Sequence, residues 1–440
     1  MKKRGSFGKT DPIEREIEHA LCPGSFIRDG ASFSFVTGLD QVATTIETLI
    51  AAEASRAVML YEVFLAGCHA KADELDDSSG SFGQFAQGLI CGWIKARQAS
   101  DADSDKTAST LLGWMDDDPY AFCYEIEKDA AAAFDKVGLA AFEKQIRTRF
   151  EDASADPSNW TYRRAAEILR AIYSAQGDIQ AYIALANQTG LKPEDCLAVA
   201  KLLAARKPDE ALNWVERGRA LDREKQFRST AGFDLDKLHR QLLSRLGRQN
   251  EALAAAWAEF REHPSKYTYD DLLRFVPKAE RREWHERALN AAMVADLHSR
   301  LELYIETKEM ERLADAVRGC SDEDLEKVSH YATEAAAKRL EKNHPGLAAR
   351  LWRAQGMRIV DAKKSKYYDA ALSNFERARN CYQKAGLMLE WENVVRQVCA
   401  AHFRKTSFQT LAAGAKRTAG PEFLERAKVR WDEQHGVSDS

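Results

Sequence analysis

The segment 160–178, WTYRRAAEILRAIYSAQGD, decides the fold class of this chain. Its apolar side chains recur at positions i, i+3, i+4, i+7 and i+8, and they are Ala165, Ile168, Leu169, Ile172 and Tyr173. This spacing forms one stripe along an α-helix. Gly177 follows the stripe, in the position where glycine commonly ends a helix. The segment therefore predicts an amphipathic helix whose stripe packs against other helices.

The same pattern recurs towards the carboxyl end of the chain. Helical stretches of about ten to sixteen residues are separated by short breakers, namely GLKPED (190–195), RKPDE (206–210), LGRQN (246–250), EHPSK (262–266) and NHPGL (343–347). Proline at a first helical turn and aspartate or serine as a cap are the residues expected there. Because such short loops force consecutive helices to pack antiparallel, the train of helices predicts a solenoid of helical hairpins.

Four of these helices carry a related signature. Each has a pair of small or aliphatic residues early in the helix and a large aromatic residue three to five positions later. The pairs and aromatics are Ala211-Leu212 with Trp214, Ala252-Leu253 with Trp257, Ala348-Ala349 with Trp352, and Ala370-Ala371 with Phe375. The signature resembles the second helix of a tetratricopeptide (TPR) hairpin, but the strict 34-residue period is absent. We interpret the array as a divergent TPR-like repeat.

Three regions are predicted along the chain. Residues 1–12 are expected to form a flexible N-terminus, residues 13–152 an N-terminal helical bundle, and residues 160–435 the solenoid. The breaker DASADPSNW (152–160) marks the boundary. Within the bundle, the segment 39–75 reads as two helices that are broken near Ala54-Ser55.

Composition limits the class of protein. The 440 residues are 45% hydrophobic and include only ten prolines, which favours an all-α fold. The charged start of the chain is not followed by an apolar run long enough for a signal peptide, and no run of about eighteen apolar residues predicts a membrane span. Eight cysteines occur singly, without a CxxC pair. We expect a cytoplasmic protein without contact to a membrane.

Charge is distributed unevenly along the chain. Residues 1–160 carry 16 Lys and Arg against 27 Asp and Glu, a net charge of −11, whereas residues 340–440 carry 18 against 11, a net charge of +7. Ten cations of the basic end lie among aromatic residues and form the predicted basic surface: Arg350, Arg353, Arg358, Lys363, Lys364, Lys366, Arg377, Arg379, Arg404 and Lys405. Interleaved cations and aromatics suit nucleic acid, and they equally suit an acidic protein partner.

Two acidic stretches have the charge of calcium loops, but both lack essential ligands. In DELDDSSGSF (73–82), the loop register places Leu75 and Ala86 at ligand positions. In DADSDKTASTLL (101–112), Lys106 replaces the required glycine and Leu112 the bidentate glutamate. We predict a turn for the first stretch and an N-terminal helix cap for the second.

Catalytic signatures are absent as well. The sequence Asp116-Asp117-Asp118-Pro119 is interpreted as a further helix cap, with proline in the first turn. No HExxH, GxxxxGK[ST], GxGxxG or GxSxG motif occurs, and His285 has no second histidine at helical spacing. We therefore assign no catalytic, cofactor-binding or metal-binding residue. A pocket in which Asp116 to Asp118 meet Glu125 would favour an enzyme with an unrecognised site.

Several blocks also carry a family resemblance. GSFIRDGASFSFVTGLDQVATTIETLI (24–50), AVMLYEVFLAGCHAKADELDDSSGSFGQF (57–85), LLGWMDDDPYAF (111–122) and LMLEWENVVRQVCAAHFRKTSFQTLAAG (387–414) resemble, in this order, an uncharacterised bacterial α-helical-repeat family. The resemblance spans about residues 13–415. In many members this region follows a SWIM zinc finger, but the CxC…CxH pattern is absent here, so a zinc or DNA-binding role does not transfer. The resemblance implies no known activity, and it implies that DDSSGS is a turn between helices.

These observations predict an all-α protein with a TPR-like solenoid, acting as a non-enzymatic scaffold for a protein partner, without a cofactor. A nucleic-acid-associated protein that uses the predicted basic surface is the alternative. An enzyme with an unrecognised site is the second alternative.

Overall fold

A computed structural model describes residues 11–22, 24, 26–153, 158–362 and 365–401 of the chain. Every regular element within these ranges is a helix, apart from one isolated parallel bridge between Ile27 and Leu75. The chain divides into two compact units, a first unit of residues 1–246 and a second unit of residues 247–440. The prediction of an all-α fold is therefore confirmed.

The first unit contains twelve α-helices among the described residues, and a short 3₁₀ turn at Ala72–Glu74. The helices are α1 (Pro12–Leu21), α2 (Asp29–Leu49), α3 (Ala54–Lys71), α4 (Ser81–Ala99), α5 (Ser104–Asp116), α6 (Glu127–Ala133), α7 (Lys136–Asp152), α8 (Trp160–Gln176), α9 (Ile179–Thr189), α10 (Pro193–Leu203), α11 (Pro208–Arg223) and α12 (Thr230–Arg245).

The second unit contains ten α-helices in its described part, with short 3₁₀ turns at Lys278–Glu280, Ala292–Val294 and Ser365–Tyr367. The helices are α13 (Gln249–Glu262), α14 (Lys266–Phe275), α15 (Arg281–Ala291), α16 (Leu297–Glu306), α17 (Met310–Arg318), α18 (Asp322–Lys327), α19 (His330–Leu340), α20 (Pro345–Asp361), α21 (Tyr368–Ala385) and α22 (Met388–Ala401).

The helix ends follow from local sequence. Asn159 caps α8 by accepting a hydrogen bond from the Tyr162 amide at 3.2 Å, and Gly177 ends the helix in the left-handed conformation. Pro345 occupies the first turn of α20, where no backbone donor is needed. The two predicted helices of segment 39–75 are also found, since α2 ends at Leu49 and α3 begins at Ala54.

Within each unit, helices pack against the next helix and the next but one. In the first unit α3 packs on α4, α10 on α11, and α10 also on α12. In the second unit α19 packs on α20, α20 on α21, and α18 also on α20. This is the arrangement of stacked helical hairpins, and it confirms the predicted TPR-like class.

The core of the second unit contains two of the four signature aromatics. Trp352 and Phe375 are fully buried, and Ala348, Ala349 and Ala371 around them are also buried. Gly356 lets α20 and α21 approach closely, because a β-carbon there would lie 2.7 Å from the Phe375 ring. Small residues and aromatics therefore interlock as the sequence signature predicts.

The other two signature aromatics are less buried. Trp214 and Trp257 are half-buried, whereas the neighbouring Ala211 and Ala252 are fully buried. The guanidinium of Arg217 lies 5.2 Å from the Trp214 ring, and that of Arg287 lies 4.5 Å from the Trp257 ring. The signature therefore identifies which face of each helix packs against its neighbours, but it does not show how deeply the aromatic side chain is buried.

The predicted domain bounds are not tested by this division into units. Helix α7 ends at Asp152 and α8 begins at Trp160, as the breaker predicts, and Phe150 stacks on Tyr162 across this break at 4.6 Å. Residues 1–10 and 402–435, which belong to the predicted flexible N-terminus and to the end of the predicted solenoid, lie outside the described residues. The bundle at 13–152 and the solenoid at 160–435 stay predictions.

Candidate functional site

Two arginines of the predicted basic surface lie on α20 and bind inside the second unit. Arg350 donates from Nε to Asp322 at 2.8 Å and from its terminal nitrogens to the carbonyls of Val317 and Cys320 at 2.9 and 2.6 Å. It thereby satisfies carbonyl groups at the carboxyl end of α17. Arg350 contributes to the packing of α17 and α18 against α20.

Arg353 is buried, with only 5% of its surface exposed. It donates to Glu326 at 2.9 Å and to Gln397 at 3.1 Å, and it lies 3.3 Å from Asp322. These partners belong to α18 and α22, so Arg353 joins three helices. Burial raises the pKa of the Glu326 carboxyl above its usual range, although Arg353 acts in the opposite direction.

The remaining cations of the predicted basic surface are dispersed. Arg358 donates to the Val328 carbonyl. Arg377 is exposed and stacks on Trp352 with 4.6 Å between guanidinium and ring, and Lys366 is exposed beside Tyr367 at 5.8 Å. Arg379 is half-buried. Lys363, Lys364, Arg404 and Lys405 lie outside the described residues. Apart from Arg379, the described cations thus divide between internal contacts and separate stacked pairs.

The two acidic stretches form the local structures that were predicted. In DELDDSSGSF, the carboxylate of Asp77 accepts hydrogen bonds from the amides of Phe82 and Gly83 at 2.9 and 2.8 Å, which caps α4. The bridge between Ile27 and Leu75 fixes the start of this turn. Asp103 caps α5 by accepting from the Lys106 amide at 3.0 Å. Both carboxylates serve helix ends.

The predicted cap at Asp116-Asp117-Asp118-Pro119 is wrong. The helix α5 ends at Asp116, and α6 begins only at Glu127. Ala121 and Glu125 have φ angles of 58° and 54°, which no right-handed helix accommodates. The carboxylate of Asp118 instead accepts from the amides of Phe122 and Cys123 and stabilises a non-helical loop. Sequence reasoning did not anticipate left-handed conformations at alanine and glutamate.

This loop borders a small cavity of about 180 Å³ in the first unit. The polar residues of its lining are Glu62, His69, Asp117, Asp118 and Cys123. Asp117 and Asp118 therefore do meet in a pocket, but Asp116 and Glu125 are not part of the lining. No group of three or more His, Cys, Asp or Glu side chains converges on a metal position among the described residues.

Glu62, Asp118 and His69 in this cavity make structural contacts. Glu62 accepts from the Trp93 indole at 3.0 Å, and Asp118 binds two backbone amides. The His69 ring packs edge-on against Phe122 at 4.9 Å. Burial, reinforced by Asp118, raises the pKa of the Cys123 thiol to about 12, so this thiol stays protonated at neutral pH and is a poor nucleophile.

His285 makes two contacts that the sequence did not predict. Its Nδ1 lies 2.7 Å from the Tyr269 hydroxyl and its Nε2 lies 3.1 Å from Glu309. These contacts link α14 and α15 with the start of α17. Burial raises the pKa of Tyr269, so the hydroxyl stays protonated at neutral pH. These three side chains connect the helices, and none of them lines the cavity beside the Asp118 loop.

An open bowl of about 600 Å³ lies beside the start of α16, the end of α18 and the start of α19. Arg300 lines it, together with His298, Lys327, Ser329, Asp296 and Asp324. The Nε of Arg300 is buried and has no hydrogen-bond partner among the described residues. Nothing in the sequence distinguishes Arg300 from the other arginines, so sequence reasoning missed it.

Large aromatic side chains are exposed on several helices. In the second unit Tyr267 is 72% and Tyr331 74% exposed, and Tyr367 is also exposed. The ammonium of Lys266 lies 5.0 Å from the Tyr267 ring. In the first unit Trp160 and Phe227 are similarly exposed. Tyrosine and tryptophan with an adjacent cation are residue types enriched at protein interfaces.

The fold and these contacts define an all-α helical-hairpin repeat protein. Comparison with protein families then places the chain: residues 23–410 match the family described as "Family of unknown function (DUF6880)", and the chain belongs to this family. The resemblance to an uncharacterised family is thereby confirmed, whereas the relation to proteins with a SWIM zinc finger stays a prediction. The comparison with curated proteins found no match.

Solved structures give only distant likenesses. The chain is 12% identical to a chain of the Naa15/Naa10 structure bound to HypK-THB, with a TM-score of 0.29, and the match covers 92% of this chain and 70% of that one. For a monomeric IFIT1 mutant with m7Gppp-AAAA, the identity is 13%, the TM-score 0.22 and the coverage 91% and 90%. For the Cut9–Hcn1 structure, these values are 14%, 0.23, 86% and 75%. TM-scores this low support no argument about function.

None of the described helices combines the length and the apolar content that a membrane crossing needs.

Proposed function

We propose that this chain is a non-enzymatic cytoplasmic scaffold that binds a protein partner through the helical hairpins of its second unit. The observation that carries the proposal is the set of exposed tyrosines on this unit, Tyr267, Tyr331 and Tyr367. Tyr267 and Tyr331 lie on α14 and α19, whose buried residues belong to the core, and Tyr367 lies in the 3₁₀ turn that precedes α21. A rigid aromatic side chain loses little conformational entropy on binding and buries a large area.

The contacts of the predicted basic surface support a protein partner over nucleic acid. Arg350 and Arg353 donate to Asp322 and Glu326, so their charge is compensated within the unit. A phosphate backbone would have to compete with these carboxylates. The face of Trp352 is covered by Arg377 and is fully buried, which leaves no surface on which a base could stack.

The experiment is an affinity capture from native cytoplasm with the full chain, performed with and without nuclease and at low and moderate salt. The wild type is compared with the triple variant Tyr267→Ala, Tyr331→Ala and Tyr367→Ala. A matched triple variant, Arg274→Ala, Lys338→Ala and Glu376→Ala, changes three exposed side chains of the same unit that are not aromatic. Circular dichroism checks that each variant retains its helix content.

The proposal expects a protein that is retained after nuclease treatment, that is lost with the tyrosine variant and that stays with the matched variant. Retention that disappears with nuclease or collapses with salt would identify nucleic acid as the ligand and contradict the proposal. Capture that the tyrosine variant leaves unchanged would also contradict it.

A further inference from the structure

Besides Arg300, the bowl is lined by Asp296, His298, Asp324 and Lys327, and all four have partners; the Nε2 of His298 lies 3.9 Å from Glu302. Asp296 accepts from the amide and the hydroxyl of Ser299 at 3.0 and 2.7 Å, which caps α16. Asp324 accepts from the Ser321 hydroxyl at 2.6 Å and lies 3.3 Å from Lys327. Both carboxylates and the lysine thus have partners within the protein.

Arg300 has no such partner. Its Nε is withdrawn from water without an acceptor, and no ion pair joins Arg300 to any residue in the described ranges. A buried donor without an acceptor is rare, because it loses its hydrogen bonds to water and gains none in return. The terminal nitrogens of Arg300 also have no partner among the described residues, and an anion in the bowl would compensate the guanidinium charge through these nitrogens.

A second group in the bowl also lacks the contact expected of it. Ser329 is the N-cap residue of the eleven-residue helix α19, but its side chain accepts no capping hydrogen bond. By contrast, Asp296 and Ser321 cap α16 and α18. The start of α19 therefore presents an uncapped hydroxyl and backbone amides at the edge of the bowl that Arg300 lines.

From these contacts we infer that the bowl binds a carboxylate of an acidic peptide, with Arg300 as the principal partner and the start of α19 as the second. One uncompensated guanidinium matches one negative charge. A dianionic phosphate would bring a second negative charge into a bowl that Asp296 and Asp324 also line, and the other basic residues there, Lys327 and His298, already have acidic partners. The volume of about 600 Å³ exceeds what a carboxylate alone requires and accommodates a peptide residue.

This inference rests on the proposed function, since it names the chemistry of the protein partner. The carboxylate can belong to an acidic side chain or to the end of a peptide chain. Three probes separate these sources: an acetylated triglutamate amide, an acetylated triglycine with a free carboxylate, and an acetylated triglutamine amide without charge. Inorganic phosphate is the fourth probe.

Binding of each probe to the full chain is measured by isothermal titration calorimetry at low salt. The variants are Arg300→Met, which keeps the length of the side chain, and Arg300→Lys, which keeps the charge without the planar fork. The matched control is Arg274→Met on α14, where the arginine is 63% exposed and lies 3.7 Å from Asp271.

The inference expects at least one carboxylate peptide to bind the wild type, and binding to weaken about tenfold in Arg300→Met. Arg300→Lys should weaken it less, and Arg274→Met should leave it unchanged. Equal binding of the triglutamine amide, no loss in Arg300→Met, or binding of phosphate without either carboxylate peptide would overturn it. None of these results depends on the affinity capture, so a failure here leaves the scaffold proposal standing.

Discussion

The second unit contains two regions in which an arginine has nitrogen atoms shielded from water: Arg353 is buried as a whole, whereas Arg300 is half-buried and only its Nε is shielded. Where α18, α20 and α22 meet, Arg353 is 5% exposed and has Glu326, Asp322 and Gln397 as partners. In the bowl at the start of α16, Arg300 has a buried Nε and no partner in the described part of the chain.

The comparison shows that burial alone does not reveal whether a charge is structural. A buried cation that is paired inside the fold stabilises it only as long as both partners remain, because each partner alone would be an uncompensated charge. A cation without an internal partner adds little to stability and remains available for a ligand. Stability measurements can therefore separate the two regions.

The largest effect is expected for Arg353→Met. The substitution leaves the Glu326 carboxylate partly buried without its closest partner, and we expect a loss of about 3 kcal/mol in the free energy of unfolding. Urea denaturation followed by helical circular dichroism measures it. The double variant Glu326→Leu and Arg353→Met should recover part of the loss, because it removes both charges. A loss below about 0.5 kcal/mol in the single variant would show that Arg353 does not hold the helices together.

The second effect concerns the apolar side of the same helix. Gly356→Val forces α20 and α21 apart, because its side chain would overlap the Phe375 ring, and we expect a loss of about 2 kcal/mol. Gly113→Val on α5 is the matched control, since nothing lies within 4 Å of a β-carbon at that position. A loss of similar size at both glycines would indicate a general effect of valine in a helix and not the close approach of α20 and α21.

The α18–α20 contact could be predicted only in part from the sequence. The stripe and the small residues gave the helices, their buried faces and the packing of Trp352 and Phe375. The cations of the basic end were visible too, but their acidic partners Asp322 and Glu326 are about thirty residues away in sequence. The number of charges in a segment does not show which distant residues come into contact in the folded protein. The ion pairs of Arg350 and Arg353 with Asp322 and Glu326 were therefore not predicted.

The Asp118 loop and the Arg300 bowl were missed for different reasons. The loop depends on left-handed backbone at Ala121 and Glu125, and neither residue type signals this conformation. The bowl is distinguished by an arginine, Arg300, without a partner among the described residues, and a sequence pattern does not show whether an arginine has a partner in the fold. Local propensity predicted the elements, whereas the sites depend on long-range contacts.

The third prediction uses pH to test the contact between Arg353 and Glu326. The pKa of Glu326 is higher in the folded state than in the unfolded state, so the folded state binds the proton of this carboxyl more tightly. The protonated carboxyl therefore stabilises the fold fully below the unfolded pKa of about 4.3, and this stabilisation is lost as the pH rises through the folded pKa. Glu326→Gln removes this titration. We expect the wild type to lose stability relative to Glu326→Gln as the pH is raised from acid to neutral, by less than the effect of Gly356→Val. Denaturation at several pH values measures it, with the exposed Glu376→Gln as control. A difference between wild type and Glu326→Gln that does not vary with pH would show that burial does not penalise the Glu326 carboxylate.

The smallest effect on the free energy of unfolding is expected for Arg300 in the bowl. Arg300→Met keeps the aliphatic part of the side chain and removes a donor that has no acceptor, so no hydrogen bond within the protein is lost. The free energy of unfolding should change by less than about 0.5 kcal/mol, and removal of the unsatisfied donor can even raise it. The measurement is the same urea denaturation as for Arg353→Met, without added peptide. A loss comparable to that of Arg353→Met would mean that Arg300 is paired within the fold. The two arginines would then be equivalent, and the bowl would no longer be distinguished as a site for a carboxylate.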